Sequence, residues 1–169
     1  MTEYQQSLLS PNDIETADSS DDRYTPPEIL ACVAAMWPKG IWLDPCWDPR
    51  SLVVARHTFT LADDCLTKPW PSGNTFMNPP WSAPGPFLER VRQSGNETIA
   101  VVKLDTSTAW WRNNIWSADA LCFAGRVRFL LPDGSALGTP SFETVIAYYG
   151  CAEYRFAEVF SQLGKVVIL

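Results

Sequence analysis

The chain has 169 residues, 46% hydrophobic and 19% charged, which suits one globular domain and leaves little for a second. No apolar run is long enough to span a membrane and the opening residues lack a signal-peptide pattern, so the expectation is a cytoplasmic protein with no membrane partner. The five cysteines are scattered and odd in number and His57 is the single histidine, which argues against both a disulfide framework and a metal centre.

The net charge of −6 is unevenly spread. Residues 1–22 hold Glu3, Asp13, Glu15, Asp18, Asp21 and Asp22 with no Lys or Arg, while the remainder carries thirteen acids against thirteen bases. This predicts an acidic, disordered tail over 1–22 and an electrically neutral domain over 23–169. Order is expected to begin near Thr25, where Thr25-Pro26-Pro27-Glu28 has the spacing of a capping box with Thr25 as N-cap. Ile29, Leu30, Val33, Met36 and Trp37 then recur at three- and four-residue steps, an apolar helical face closed by Pro38-Lys39-Gly40.

Short apolar runs then alternate with helical stretches. Strands are predicted at 41–44, 57–60, 75–78, 98–103 and 120–123, with helices at 86–93 and 109–114. Segments 126–131 and 142–149 flank Pro132-Asp133-Gly134-Ser135 and read as the two strands of a late hairpin. A helix at 153–163 and a strand at 165–169 complete the chain. The pattern is that of an α/β protein with a mostly parallel sheet and an antiparallel edge hairpin.

Asn78-Pro79-Pro80-Trp81, directly after the apolar strand Thr75-Phe76-Met77, carries the strongest chemical signal. An amine conjugated to a purine ring is a poor nucleophile because its lone pair is delocalised. Two acceptors aimed at its N–H groups, the side-chain oxygen of Asn78 and the carbonyl of Pro79, favour the tetrahedral and more nucleophilic geometry. The prolines stiffen the turn, and Trp81 offers a face on which a flipped base stacks. Asp44 in Leu43-Asp44-Pro45-Cys46 ends a strand, where ligands of open α/β sheets bind, and suits ribose hydroxyls or an ammonium group. Asp64 in Asp63-Asp64-Cys65-Leu66 is a candidate contact for an adenine edge, with Leu66 as its expected buried anchor. In Gly125-Arg126-Val127-Arg128-Phe129, strand periodicity sends Arg126 and Arg128 to one face, where they suit phosphates or a base edge.

These motifs in this order, Thr25-Pro26-Pro27-Glu28, Leu43-Asp44-Pro45-Cys46, Asp64-Cys65-Leu66, Asn78-Pro79-Pro80-Trp81 and Gly125-Arg126-Val127-Arg128-Phe129, resemble those of phage-type DNA N-6-adenine-methyltransferases (Dam). The resemblance runs from Asp22 to about Gly150 and implies a single-domain, Rossmann-like class I methyltransferase sheet. It implies S-adenosylmethionine as cofactor, with Thr25 and Pro26 at its methionine end, Asp44 and Pro45 forming the first cofactor loop, and Asp64 against its adenine. Asn78, Pro79, Pro80 and Trp81 would form the catalytic loop, and double-stranded DNA would be the partner, met by Arg126 and Arg128 in a host cytoplasm if the gene is phage-borne. The loop Pro45-Cys46-Trp47-Asp48-Pro49 departs from the glycine-rich loop usual in such enzymes. With no room for a sizeable target-recognition domain, specificity falls to loops 82–86 and 132–141 or to a second subunit in a homodimer. Two alternatives stay open on sequence: methylation of a protein glutamine amide or an RNA base, and a non-catalytic fold that acts by binding a host protein.

Overall fold

The computed structural model describes residues 21–138 and 140–169, so most of the expected acidic tail, residues 1–20, lies outside the described residues. Helix α1 (Pro27–Met36) starts with proline in its first turn, where a missing N–H costs nothing. The capping-box expectation at its start is corrected: Pro26, extended at φ −75° and ψ 160°, is the N-cap, and no side chain caps the helix. Two consecutive prolines move the helix start one residue downstream, which leaves the Thr25 hydroxyl without the amide partners a capping position gives it.

The strands are β1 (Ile41–Asp44), β2 (Ala55–Thr58), β3 (Thr75–Met77), β4 (Thr98–Lys103), β5 (Ala120–Gly125), β6 (Thr144–Tyr149) and β7 (Lys165–Ile168). Helices α2 (Gly85–Ser94), α3 (Ala109–Asn114) and α4 (Glu153–Phe160) join them. Among the described residues, seven strands form one sheet in the order β2-β1-β3-β4-β6-β5-β7. The ladders among β2, β1, β3 and β4 are parallel; β6 runs antiparallel to β4 and β5, and β7 antiparallel to β5.

Period-two alternation in the central strands sorts the core into two layers. Ile99, Val101, Ile146 and Tyr148 face α1 and α4 through Ile29, Val33, Phe156 and Phe160. Ala100, Val102, Val145 and Ala147 face α2 and α3 through Leu88, Val91 and Trp111. Central strands buried on both faces read as continuous apolar runs, which is why Thr98–Lys103 stands out in the sequence.

The late hairpin is wider than the sequence suggests. Its first strand is β5, and segment 126–131 adds no strand to the sheet: Gly125 at φ +68°, beside a register break between Phe123 and Gly125, turns the chain away. Leu130 instead bridges to Tyr24 and to Ala136. This places the Gly125–Phe129 motif against the segment that leads into α1 rather than on the sheet edge. Among the described residues, no helix is long and apolar enough to cross a membrane.

The chain runs from β1 outward to β2, then crosses back to β3 on the opposite side of β1. Loops leaving the carboxyl ends of β1 and β3 therefore diverge, and a crevice opens between them. Asp44 is the last residue of β1, and Asn78 follows the last residue of β3.

Candidate active site

A cavity of about 530 Å³ occupies this switch point, a volume typical of small-molecule sites. Thr25, Asp44, Pro45, Asp64, Asn78 and Pro80 all line it, so four sequence motifs converge on one space. Pro26, Pro79, Trp81, Arg126 and Arg128 are not part of its wall.

Asp44 is buried, 3% exposed, and its Oδ1 accepts the backbone N–H of Cys46 at 2.9 Å. Loss of solvation pushes its carboxyl up to about 7, and that single N–H only partly offsets the effect. Such a carboxyl is half-ionised near neutrality and gains from any cation or hydroxyl pair placed beside it. The backbone around it is rigid, since Phe59 N–H donates to the Asp44 carbonyl at 3.0 Å and Trp47 N–H to the Phe59 carbonyl at 2.9 Å.

Asp64 reaches the cavity through unusual backbone geometry. Thr60 and Asp63 cap the short 3-10 turn Leu61–Asp63 reciprocally, and Lys68 bonds Asp63 at 2.8 Å. Asp64 then takes the left-handed conformation at φ 50°, the single non-glycine residue to do so among the described residues. Strain held at a cavity wall is consistent with a functional position. The expected anchor is corrected: Leu66 is 37% exposed, and Cys65, 5% exposed, holds the segment down.

Asn78 has both ends of its amide fixed. Nδ2 donates to the Arg23 carbonyl at 2.6 Å, and Oδ1 accepts the Trp81 indole N–H at 3.1 Å. An acceptor on one side and a donor on the other define which end is oxygen, and the oxygen keeps one lone-pair direction unspent. Trp81 is 5% exposed, with edge-on contacts to Phe129 at 4.8 Å and Phe142 at 4.6 Å between ring centroids. In this conformation its ring packs inside protein rather than standing as an open platform. Pro79 is buried and Pro80 partly so, which keeps the loop stiff.

The segment that crosses the mouth of the cavity escaped the sequence reading. Asp21 accepts the backbone N–H and hydroxyl of Ser82 at 2.8 and 2.6 Å, and Asp22 pairs with Arg50 at 3.5 Å. Tyr24 exchanges two backbone hydrogen bonds of 2.9 Å with Leu130. Burial, with the Asp48 carboxylate beside it, pushes the Tyr24 phenol up to about 12. Residues 21–24 thus tie the loop after β1, the Asn78 loop and the Gly125–Phe129 motif together. Asp21 and Asp22 therefore belong to the ordered structure although the expected tail included them. Their signal in the sequence was adjacency to Thr25 and nothing stronger. Trp47, Cys46, Cys65 and Phe87 also line the wall and carried no separate signal.

Arg126 and Arg128 are exposed while Val127 is partly buried and Phe129 fully buried, the alternation expected of an extended segment. Phe129 is the physical link between this motif and the Asn78 loop, through Trp81. No group of three or more His, Cys, Asp or Glu residues among the described residues has the arrangement of a metal site.

Fold and crevice together define the class: an α/β protein with a Rossmann-like methyltransferase sheet and a cavity at the switch point. The sequence model of the DNA N-6-adenine-methyltransferase (Dam) family matches residues 14–143, and the chain belongs to that family. No curated protein matches the chain.

Proposed function

We propose that this protein transfers a methyl group from S-adenosylmethionine to the N6 amine of adenine in double-stranded DNA. The observation that carries this reading is the Asn78 amide, pinned at both ends beside a cavity with a buried carboxyl. The cavity fits the cofactor in chemistry as well as volume. Its wall mixes apolar Val53, Leu61, Phe87 and Trp47 with the carboxyls of Asp44 and Asp64, partners for a heteroaromatic ring, hydroxyls and a cationic group.

When bound, S-adenosylmethionine supplies an electrophilic methyl on a cationic sulfur. Asp44 and Pro45 would hold it at the end of β1, Thr25 from the segment before α1, and Asp64 from the loop before β3. The open lone pair of Asn78 Oδ1 and the Pro79 carbonyl accept the two N–H groups of the target amine, drawing its lone pair out of conjugation. The nitrogen would gain the methyl as the carbon–sulfur bond breaks, the bonding pair staying on the departing sulfide, and would then release one proton to solvent water. Because the Asn78 oxygen is oriented before substrate arrives, no reorganisation is needed at the moment of reaction. Trp81 acts here as a positioning residue, holding that oxygen from the side. Arg126 and Arg128, both exposed, would contact the DNA.

A labelled-methyl assay over unmethylated double-stranded DNA, RNA and total protein tests this reading. Label in DNA alone is expected; label confined to RNA or to a protein glutamine would replace it.

A further inference from the structure

Two of the five cysteines share the cavity wall, and methyl transfer as described uses neither. Cys46 stands on the loop after β1 and Cys65 on the loop before β3, and both line the cavity. Their sulfurs face each other closely enough for the Cys46 S–H to donate to Cys65. The backbone sets this meeting. The Cys46 N–H is held by Asp44 Oδ1 at 2.9 Å, and the Cys65 carbonyl accepts the Trp70 indole N–H at 2.8 Å. Cys46 and Trp70 then pack against the same layer of the core, around Met77 and Leu88. The other thiols are placed differently. Cys32 and Cys122 donate to the main-chain carbonyls of Val159 and Phe160 inside the core, and Cys151 is exposed and not part of the cavity wall.

The two thiols are chemically unequal. Receiving the Cys46 S–H pulls the Cys65 thiol below its ordinary value, while burial, that donated bond and the Asp44 carboxyl push Cys46 well up. Cys65 is thus the better thiolate and Cys46 the thiol that answers it. We infer that Cys46 and Cys65 are an oxidative modification site, and that the disulfide they form excludes the cofactor from the cavity. Hydrogen peroxide, small enough to enter, is the oxidant. The Cys65 thiolate attacks one peroxide oxygen, the O–O bond breaks, and the departing hydroxide takes up a proton to leave as water, giving a sulfenic acid. The Cys46 sulfur, losing its proton, then attacks the Cys65 sulfur; the S–O bond breaks and a second water leaves. The thiols lose two electrons together, and one peroxide is reduced to two waters. An accessible pair in a chain without a disulfide framework suits a reversible bond rather than a structural one.

Position turns this bond into a switch. Cys46 lies two residues past Asp44 and Cys65 directly follows Asp64, so the bond ties together the loops that carry two cavity-lining carboxyls. A disulfide needs its sulfurs at about 2 Å, well inside hydrogen-bonding separation, so the loops must draw together. The loop after β1 has little slack, because Trp47 N–H donates to the Phe59 carbonyl and Phe59 N–H to that of Asp44. The Cys65 side, where Asp64 already sits at φ 50°, therefore has to move. A cofactor filling the space between these loops opposes the same movement, and linkage makes the two effects equal in size. The exclusion rests on the cofactor assignment made above; the cross-link itself does not.

The experiment treats reduced protein with hydrogen peroxide, maps disulfides by mass spectrometry of unreduced digests, and follows S-adenosylmethionine binding by calorimetry. A Cys46–Cys65 cross-link is expected, with Cys32 and Cys122 remaining as thiols. Affinity for S-adenosylmethionine should fall roughly 10–100-fold and return with dithiothreitol, and saturating S-adenosylmethionine should suppress the cross-link by a like factor. Cys65→Ala should bind alike before and after peroxide. Cys46→Ser should stop at a sulfenic acid on Cys65, captured by a cyclic 1,3-diketone. Absence of the cross-link, or an affinity loss that Cys65→Ala shares, overturns the inference. If the cross-linked protein binds S-adenosylmethionine as well as the reduced form does, the exclusion is wrong and the cofactor reading stands. If the reduced protein binds none, the cofactor reading falls and the exclusion with it.

Discussion

Asp44→Asn separates what the buried carboxyl does for ligand binding from what it costs the fold. The folded protein holds this carboxyl at about 7 against an ordinary value of 3.8, because burial penalises its charge. A group whose folded value is raised binds its proton more tightly in the folded state. Stability is therefore highest below the ordinary value, falls as pH rises through the window between 3.8 and about 7, and is flat above it. The gap amounts to roughly 4 kcal/mol at most, using about 1.4 kcal/mol per tenfold. Asparagine keeps an oxygen for the Cys46 N–H and removes the ionisation. The variant should match wild type near pH 4 and exceed it by up to roughly 4 kcal/mol at pH 8, at about 2–4 °C of melting temperature per kcal/mol. Cofactor binding should move the opposite way, weakening by about 10–100-fold at pH 8 for loss of a charge-assisted contact. In wild type, affinity should rise with pH toward 7 by that same 10–100-fold in all and level off above, since binding favours the ionised form. Thermal melts and calorimetry from pH 4 to 8 read both effects. A stability difference that does not change with pH, or full cofactor affinity in the variant, refutes the reasoning.

Phe129→Ala should destabilise the fold by about 3–5 kcal/mol, the usual cost of emptying a buried aromatic site, and should also lower the methylation rate by loosening Trp81 and hence Asn78; denaturant unfolding and a rate measurement at saturating cofactor check it. Arg126→Gln with Arg128→Gln should weaken DNA binding similarly across unrelated sequences and reduce the salt slope by about 2, measured by fluorescence anisotropy over a salt series, if each meets one phosphate. Deleting residues 1–20, which hold four acids and no bases, should tighten non-specific DNA binding at low salt, because a tethered polyanion competes for the same arginines at roughly millimolar effective concentration. Equal binding by full-length and truncated protein at low salt makes the tail inert.

Elements with strong periodicity were legible in the sequence. β1, β4 and α3 fall at the predicted residues because apolar runs or aromatic spacing leave one solution. The position of the Asn78-Pro79-Pro80-Trp81 loop beside the cavity was legible because a polar residue and two prolines stand directly after an apolar strand. Segment 126–131 misled because alternating Arg, Val, Arg and Phe reads as a strand whether the neighbour is a sheet or a single bridge to Tyr24. Thr25 misled because a capping box and a threonine lining a cavity have the same spacing, and only the N-cap dihedrals of Pro26 distinguish them. The place of residues 21–24 was invisible because it is set by long-range contacts with Ser82, Asn78 and Leu130, which nothing in a local window signals.

The most direct measurement identifies the methylated atom. Wild type and Asn78→Ala are incubated with labelled S-adenosylmethionine and unmethylated duplex DNA, and the DNA is digested to nucleosides and separated. The account predicts that wild-type label co-elutes with N6-methyldeoxyadenosine and that Asn78→Ala, with near-normal cofactor affinity, is slower by about 10²–10³-fold. Label on a cytosine, or an Asn78→Ala variant that methylates at the wild-type rate, would contradict it.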